Sequence, residues 1–141
     1  MNYNELIQLF FERSNAMQSY WNLYVLIVGG VLAFSSMRKQ PAAVTTLIVS
    51  ILFALFAYKN LDAMYDTTQQ RFATLQAIKQ FDTSGATVPT AKPVRDLIEP
   101  TLNPATYSSV RTTHVASDIL TIAALWAMEL RRRRMTEAPS K

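Results

Sequence analysis

The sequence predicts an all-α integral membrane protein with three transmembrane helices, the first two forming a long antiparallel helical hairpin that extends outside the membrane. Three observations carry this expectation. Residues 14–37 and 40–58 contain no charged side chain, and each run is long enough to cross a bilayer as a helix, which takes about 17–25 residues. A third apolar run follows His114, carries Asp118 near its start and ends in Arg131, Arg132, Arg133 and Arg134. The polar stretches around the first two runs keep helical spacing of apolar residues without a glycine or proline.

Composition agrees with that class. The chain has 141 residues, one domain's worth, of which 17% are charged and 50% hydrophobic; a soluble domain carries about 25% charge. The mean hydropathy of +0.07 requires a sizeable polar part beside the spans. The absence of cysteine excludes disulfides and thiolate metal sites.

Residues 1–17 read as an extracytoplasmic amphipathic helix, because Tyr3, Phe10, Met17, Tyr24 and Val31 recur every seven residues with Leu6 and Ile7 beside them. The first span is residues 18–37, opened by Tyr20, Trp21 and Tyr24 at the level of an interfacial aromatic belt. It does not resemble a cleavable signal, since its leader carries Glu5, Glu12 and Arg13 and no small-x-small site follows. Residues 38–41 form a tight cytoplasmic turn, and residues 42–58 the second span. Such a short link makes the two spans antiparallel neighbours. Pairing about residue 40 sets Met17 near Asp62 and Phe10 near residues 69–72. Residues 59–82 continue the second helix outward, with Leu61, Tyr65, Thr68, Phe72 and Leu75 as its apolar stripe. At about 1.5 Å per residue this is a stalk on the order of 35 Å long.

Residues 83–107 read as an extracytoplasmic loop with a short helix stopped by Pro100. Residues 108–130 are the third span, which topology requires. Arg38 and Lys39 place the first link in the cytoplasm. A third crossing returns the arginine block to that side, so that half of the 14 Lys and Arg residues occupy two short cytoplasmic segments. Residues 131–141 are then a cytoplasmic basic tail, and the N-terminus lies outside. With two spans the block would end outside, against the positive-inside rule.

The chemistry concentrates in an expected intramembrane polar layer of His114, Asp118, Thr121, Tyr24 and Tyr58. His114 and Asp118 are four residues apart and share a helix face. Counting from the cytoplasmic ends sets the Tyr24 hydroxyl near Asp118 and Tyr20 or Tyr58 near His114. An ionisable group at helix centre costs about 2.5–3.5 kcal/mol on insertion scales, so Asp118 should face protein or water. It either serves a proton or cation, or pins the third helix to the hairpin. Arg38, Lys39, Arg131, Arg132, Arg133, Arg134, Trp21 and Trp126 are read as topology and lipid anchors. Small residues line helix faces at Thr46, Ser50 and Ala54, at Gly29 and Ala33, and at Ala123 and Ala127.

No catalytic motif, metal set or phosphate loop is present in the sequence, so neither an enzyme, a cofactor nor a small-molecule substrate is expected. Nucleic acid is not expected either, because the short basic tail has no aromatic for stacking. The expected partners are the lipid bilayer and a membrane-protein partner or further copies of the chain, in a plasma membrane of bacterial inner-membrane type. The favoured role is an interaction or assembly subunit. The alternatives are a homo-oligomeric proton or cation pore lined by Asp118, and an intramembrane enzyme using His114 and Asp118.

Overall fold

The computed structural model describes residues 2–81 and 91–137. The turn-rich reading of residues 82–90 and the end of the basic tail lie outside them. Among the described residues the protein is helical and has no strand: α1 spans Tyr3–Met37, α2 Ala43–Gln80, α3 Ala91–Ile98 and α4 Tyr107–Glu137, with a 3-10 turn at Glu99–Thr101. Two of these helices, α1 and α2, are long and apolar enough to cross a membrane by length and composition. The helix α4 is not, because its apolar run is interrupted by polar side chains.

Local chemistry sets the helix ends. Asn2 caps α1 reciprocally: its side chain accepts the Glu5 N–H at 2.9 Å, and its own N–H donates to the Glu5 carboxylate at 2.7 Å. Arg38 turns the chain extended at the other end, and Pro41 keeps it out of the helix until Ala43. At the far end of α2 the Arg95 guanidinium donates to the carbonyls of Phe81 at 2.9 Å and Ile78 at 3.5 Å, which satisfies orphan acceptors of the last turn. Arg95 also pairs with Glu99, whose carboxylate accepts the Tyr3 hydroxyl at 3.2 Å. Burial, with the Glu99 carboxylate second, raises the Tyr3 phenol above its ordinary pKa. The α3 segment is thereby tied to the starts of α1 and the end of α2.

Three clusters show how the long helices pair. Leu6 and Phe10 meet Leu75, Ile78 and Leu102. Met17 meets Met64 and Val110. Tyr24 meets Phe53 and Ala57, with Ile122 beside them. Numbers rise along α1 and α4 as they fall along α2, so α2 runs opposite to the other two.

The buried face of α2 follows a seven-residue repeat. Thr46, Phe53, Asn60, Thr67 and Thr74 form one row, and Ser50, Ala57, Met64 and Ile78 the other, all buried. Arg71 fills the remaining place half-buried, its guanidinium 5.6 Å from the Phe10 ring centre, and desolvation lowers its pKa. This corrects the expected stripe. Thr68 and Leu75 are buried, but Leu61 and Phe72 are only half-buried and Tyr65 is 42% exposed. The stalk and the apolar run are one unbroken helix, so the seam that α2 presents to α1 and α4 continues in register from Thr46 and lies one residue round from the stripe.

The exterior changes polarity along the bundle. Toward the stalk tip the interior mixes apolar side chains (Leu6, Phe10, Met17, Met64, Ile78) with the threonines Thr67, Thr68 and Thr74, and Glu12, Asp62, Asp66 and Gln76 face out. Toward the other end the interior holds Ser35, Thr46, Ser50, His114, Thr121 and Glu129, while Val25, Leu26, Phe34, Val44, Ile48, Ile51, Leu52, Leu55, Ile119 and Leu120 are exposed. The apolar exterior runs round all three long helices at one level.

Neighbouring phenylalanines give a direct check on the seam. Phe10 is 4% exposed and Phe11 50%. Phe10→Ala should lower stability by about 3–5 kcal/mol, and Phe11→Ala by under about 1 kcal/mol, read as thermal unfolding of the purified protein. Equal losses would mean that α1 presents a different face.

Candidate functional site

The polar interior is organised as two clusters, one at mid-bundle and one at the end away from the stalk. At mid-bundle, helical spacing puts His114 and Asp118 on one face of α4, and the His114 Nδ1 lies 2.9 Å from Asp118 Oδ2. The Tyr24 hydroxyl of α1 donates to Asp118 Oδ1 at 2.8 Å. The Asn60 Nδ2 of α2 lies 3.2 Å from His114 Nε2. Three helices therefore meet through one hydrogen-bonded chain.

The donors dictate the protonation pattern. An amide nitrogen only donates, so Nε2 of His114 accepts from Asn60 and the ring keeps its proton on Nδ1. That N–H then donates to Asp118, whose second oxygen is taken by Tyr24. Both nitrogens of the imidazole are used, so His114 presents no lone pair to a substrate. Each oxygen of the carboxylate holds one donor and keeps further acceptor capacity, with the Asp118 side chain 19% exposed. The His114 ring is fully buried, with the Tyr24 ring centre at 4.1 Å and the Trp21 ring centre at 5.9 Å.

Tyr24, His114 and Asp118 thus come together, and three of the residues expected with them, Tyr58, Tyr20 and Thr121, do not. Tyr58 is 65% exposed, with the Lys59 ammonium 5.6 Å from its ring centre. The seam passes through Ala57 and Asn60, which turns residue 58 outward. Tyr20 packs against Met17, Met64 and Val110 rather than His114. Thr121 is buried, but its hydroxyl donates to the Ser117 carbonyl at 2.8 Å and not to the layer. Asn60 was missed because the second span was ended at Tyr58; its place in the row Thr46, Phe53, Asn60, Thr67 was the available signal.

The second cluster surrounds Glu129, which the sequence analysis does not single out. Glu129 is fully buried. It accepts from Thr46 Oγ1 at 3.2 Å, Arg132 at 3.2 Å and Arg133 at 3.4 Å, with Arg38 at 3.8 Å. Arg132 also donates to the Ser35 carbonyl at 2.7 Å, and Arg38 to Thr46 Oγ1 at 3.2 Å and the Ala42 carbonyl at 3.1 Å. The spacing of Glu129 to Arg132 and Arg133, three and four residues on, was the legible sign.

The anchor assignments divide accordingly. Arg38, Arg132 and Arg133 are bound to a buried carboxylate, so they hold the bundle together and are not simply surface charge. Lys39, Arg131 and Arg134 are exposed. Trp21 is half-buried against the His114 ring, and Trp126 is half-buried beside Leu125 in sequence. Between the two clusters lie Phe53 and Leu125, 2% and 1% exposed, and no side-chain hydrogen bond among the described residues links one cluster to the other. Nor is there, among those residues, a group of three or more His, Asp and Glu that could hold a metal ion.

No protein-family model, curated protein or solved structure matches the chain.

Two removals separate the clusters. Glu129→Gln leaves Arg38 and Arg132 facing a neutral group in a largely buried setting. The expected loss is about 1–3 kcal/mol, less than for a fully buried pair because Arg133 is half-exposed. Asp118→Asn gives the layer a donor where it needs an acceptor and should cost about 1–3 kcal/mol. Thermal unfolding in mild detergent measures both, and a wild-type melting curve for either variant contradicts the assignment of that cluster.

Proposed function

We propose that the chain is a three-span membrane protein that acts as an interaction or assembly subunit. The N-terminus and stalk lie outside and the arginine-rich end lies in the cytoplasm, of a bacterial inner membrane by the reading that its charge placement favours. The observation that carries the membrane part is the change of the exterior from polar to apolar along the bundle. A bundle that buries His114 and Glu129, holds Asp118 part-buried between its helices and exposes Leu26, Ile51 and Ile119 suits a solvent of hydrocarbon, in which polar groups must be satisfied by protein. The third span rests on the same argument. Arg111 and Arg131 are about 30 Å apart along α4 at 1.5 Å per residue, close to the hydrocarbon thickness; between them His114, Thr121 and Glu129 are buried, Asp118 is part-buried, and Thr112 and Thr113 at the Arg111 end are exposed.

The subunit role is supported by where the chemistry goes. The acids, the histidine and the tyrosine of the spans are consumed inside the chain. The outward surfaces are apolar, and two of them carry small residues that allow close helix approach: Gly29 with Ala33, and Ala123 with Ala127, all exposed. The stalk seam, by contrast, is used within the chain, so the docking faces are assigned to the spans. A pore lined by Asp118 in a ring of copies is less well supported, because Asp118, His114 and Thr121 face the interior of one bundle. The enzyme reading lacks an open nitrogen at His114, which is fully buried with both ring nitrogens engaged.

Topology is tested by single cysteines in this cysteine-free chain. A cysteine at Gln69 should react with a membrane-impermeant maleimide in intact cells. One at Met135 should react only after the membrane is opened. Recovery of the protein in the soluble fraction, or the reverse labelling, rejects the assignment. Docking is tested by Gly29→Leu. A Cβ at Gly29 meets nothing within 4 Å in this chain, so the substitution should leave the melting temperature unchanged and weaken co-purification with a partner or a second copy at least about tenfold, or 1.4 kcal/mol. Undiminished association would remove this face from the docking surface.

A further inference from the structure

The arginine block is divided by the helix. Arg132 and Arg133 turn toward Glu129, whereas Arg131 and Arg134 lie on the opposite face, exposed. Among the described residues no carboxylate stands within ion-pair distance of either. These two share an open depression with Ala127, Leu130 and Met135, at the spacing of a single helix face. We propose that this depression is a binding site for an anionic phospholipid, with Arg131 and Arg134 on the phosphate and Ala127 and Leu130 under the acyl chain.

The proposal rests on the membrane reading above and adds a ligand to it. Charge complementarity selects an anion. Arg38, Lys39 and the four block arginines gather at this end against Glu129 and Glu137, and Glu129 is already committed to the inner three guanidiniums. Residues three apart on a helix stand about 5–6 Å apart at Cβ, close enough for two guanidiniums to fork onto one phosphodiester. The floor selects a lipid over a free anion. Leu130 is 51% exposed, Ala127 is small and exposed beside it, and both continue the apolar outer face formed by Ile119 and Leu120. Met135 closes the far rim. A charged head above an apolar strip, at the boundary where the strip ends, is the outline of a membrane amphiphile.

The test uses the full chain in mild detergent with equal amounts of dioleoyl phosphatidylglycerol and dioleoyl phosphatidylcholine, read by native mass spectrometry. The wild type should retain phosphatidylglycerol in preference by roughly 30-fold, the expectation for two surface arginines. The double variant R131Q/R134Q should lose that preference. Ala127→Phe, which changes no charge, should weaken retention by filling the floor, and Lys39→Gln should leave it as in the wild type. Circular dichroism confirms that each variant stays helical. Undiminished preference in R131Q/R134Q, or none in the wild type, overturns the site. Complete displacement by excess glycerol phosphate overturns the lipid assignment in favour of a free-anion site. A chain released from membranes only by detergent but lacking the preference overturns this proposal alone; a chain found in the soluble fraction overturns the membrane reading beneath it.

Discussion

Asp118 is hydrogen-bonded on both oxygens by the protein itself, and the arrangement of the three long helices follows from how that is done. Its two oxygens are taken by Tyr24 from α1 and by His114 from its own helix, and His114 is in turn held by Asn60 from α2. Each helix contributes one necessary member, so neither the rotation of α4 nor its height is adjustable without leaving a buried polar group unmade. Such a loss costs about 1–3 kcal/mol, more than a typical hydrogen bond contributes net. The layer therefore specifies the register of the bundle as well as supporting it.

The Glu129 cluster does the same at the other end by a different chemistry. There the unmatched charge is on the cations, and one carboxylate collects three guanidiniums from two segments of chain, the link after α1 and the last turns of α4. Arg132 reaches across to the Ser35 carbonyl, an acceptor left over near the end of α1. Two polar locks with a dry stretch of Phe53 and Leu125 between them make a braced bundle rather than a continuous proton path. The bracing leaves the outer faces of the helices uncommitted, which is where the proposed docking and lipid contacts fall.

The long helices also carry two different exteriors without a break. Around Asn60 and His114 the exposed surface changes from polar to apolar. A seven-residue seam runs through both halves of α2, because packing between neighbouring helices depends on spacing and not on what lies outside. This is why the stalk can be a direct continuation of the apolar part, and why its buried face is set by residues in the other half.

Much of this was readable in the residues. Uncharged runs and their lengths determined that α1 and α2 are long apolar helices, since hydropathy and helix geometry are local properties. The four-residue spacing placed His114 and Asp118 on one face, and counting from the helix ends brought Tyr24 to their level. What the sequence could not decide was rotation. Whether residue 57, 58 or 60 of α2 faces inward depends on two neighbours at once, and an error in that rotation put Tyr58 where Asn60 stands and shifted the stalk stripe by one residue. Glu129 shows the same limit in another form. Beside four arginines it looks like one more charge at a helix end, and only the approach of Thr46 and Arg38 from distant points in the chain makes it the buried centre that divides the block into an inner and an outer pair. Periodicity and composition are written along one helix; the partners of a buried polar group are supplied by the others.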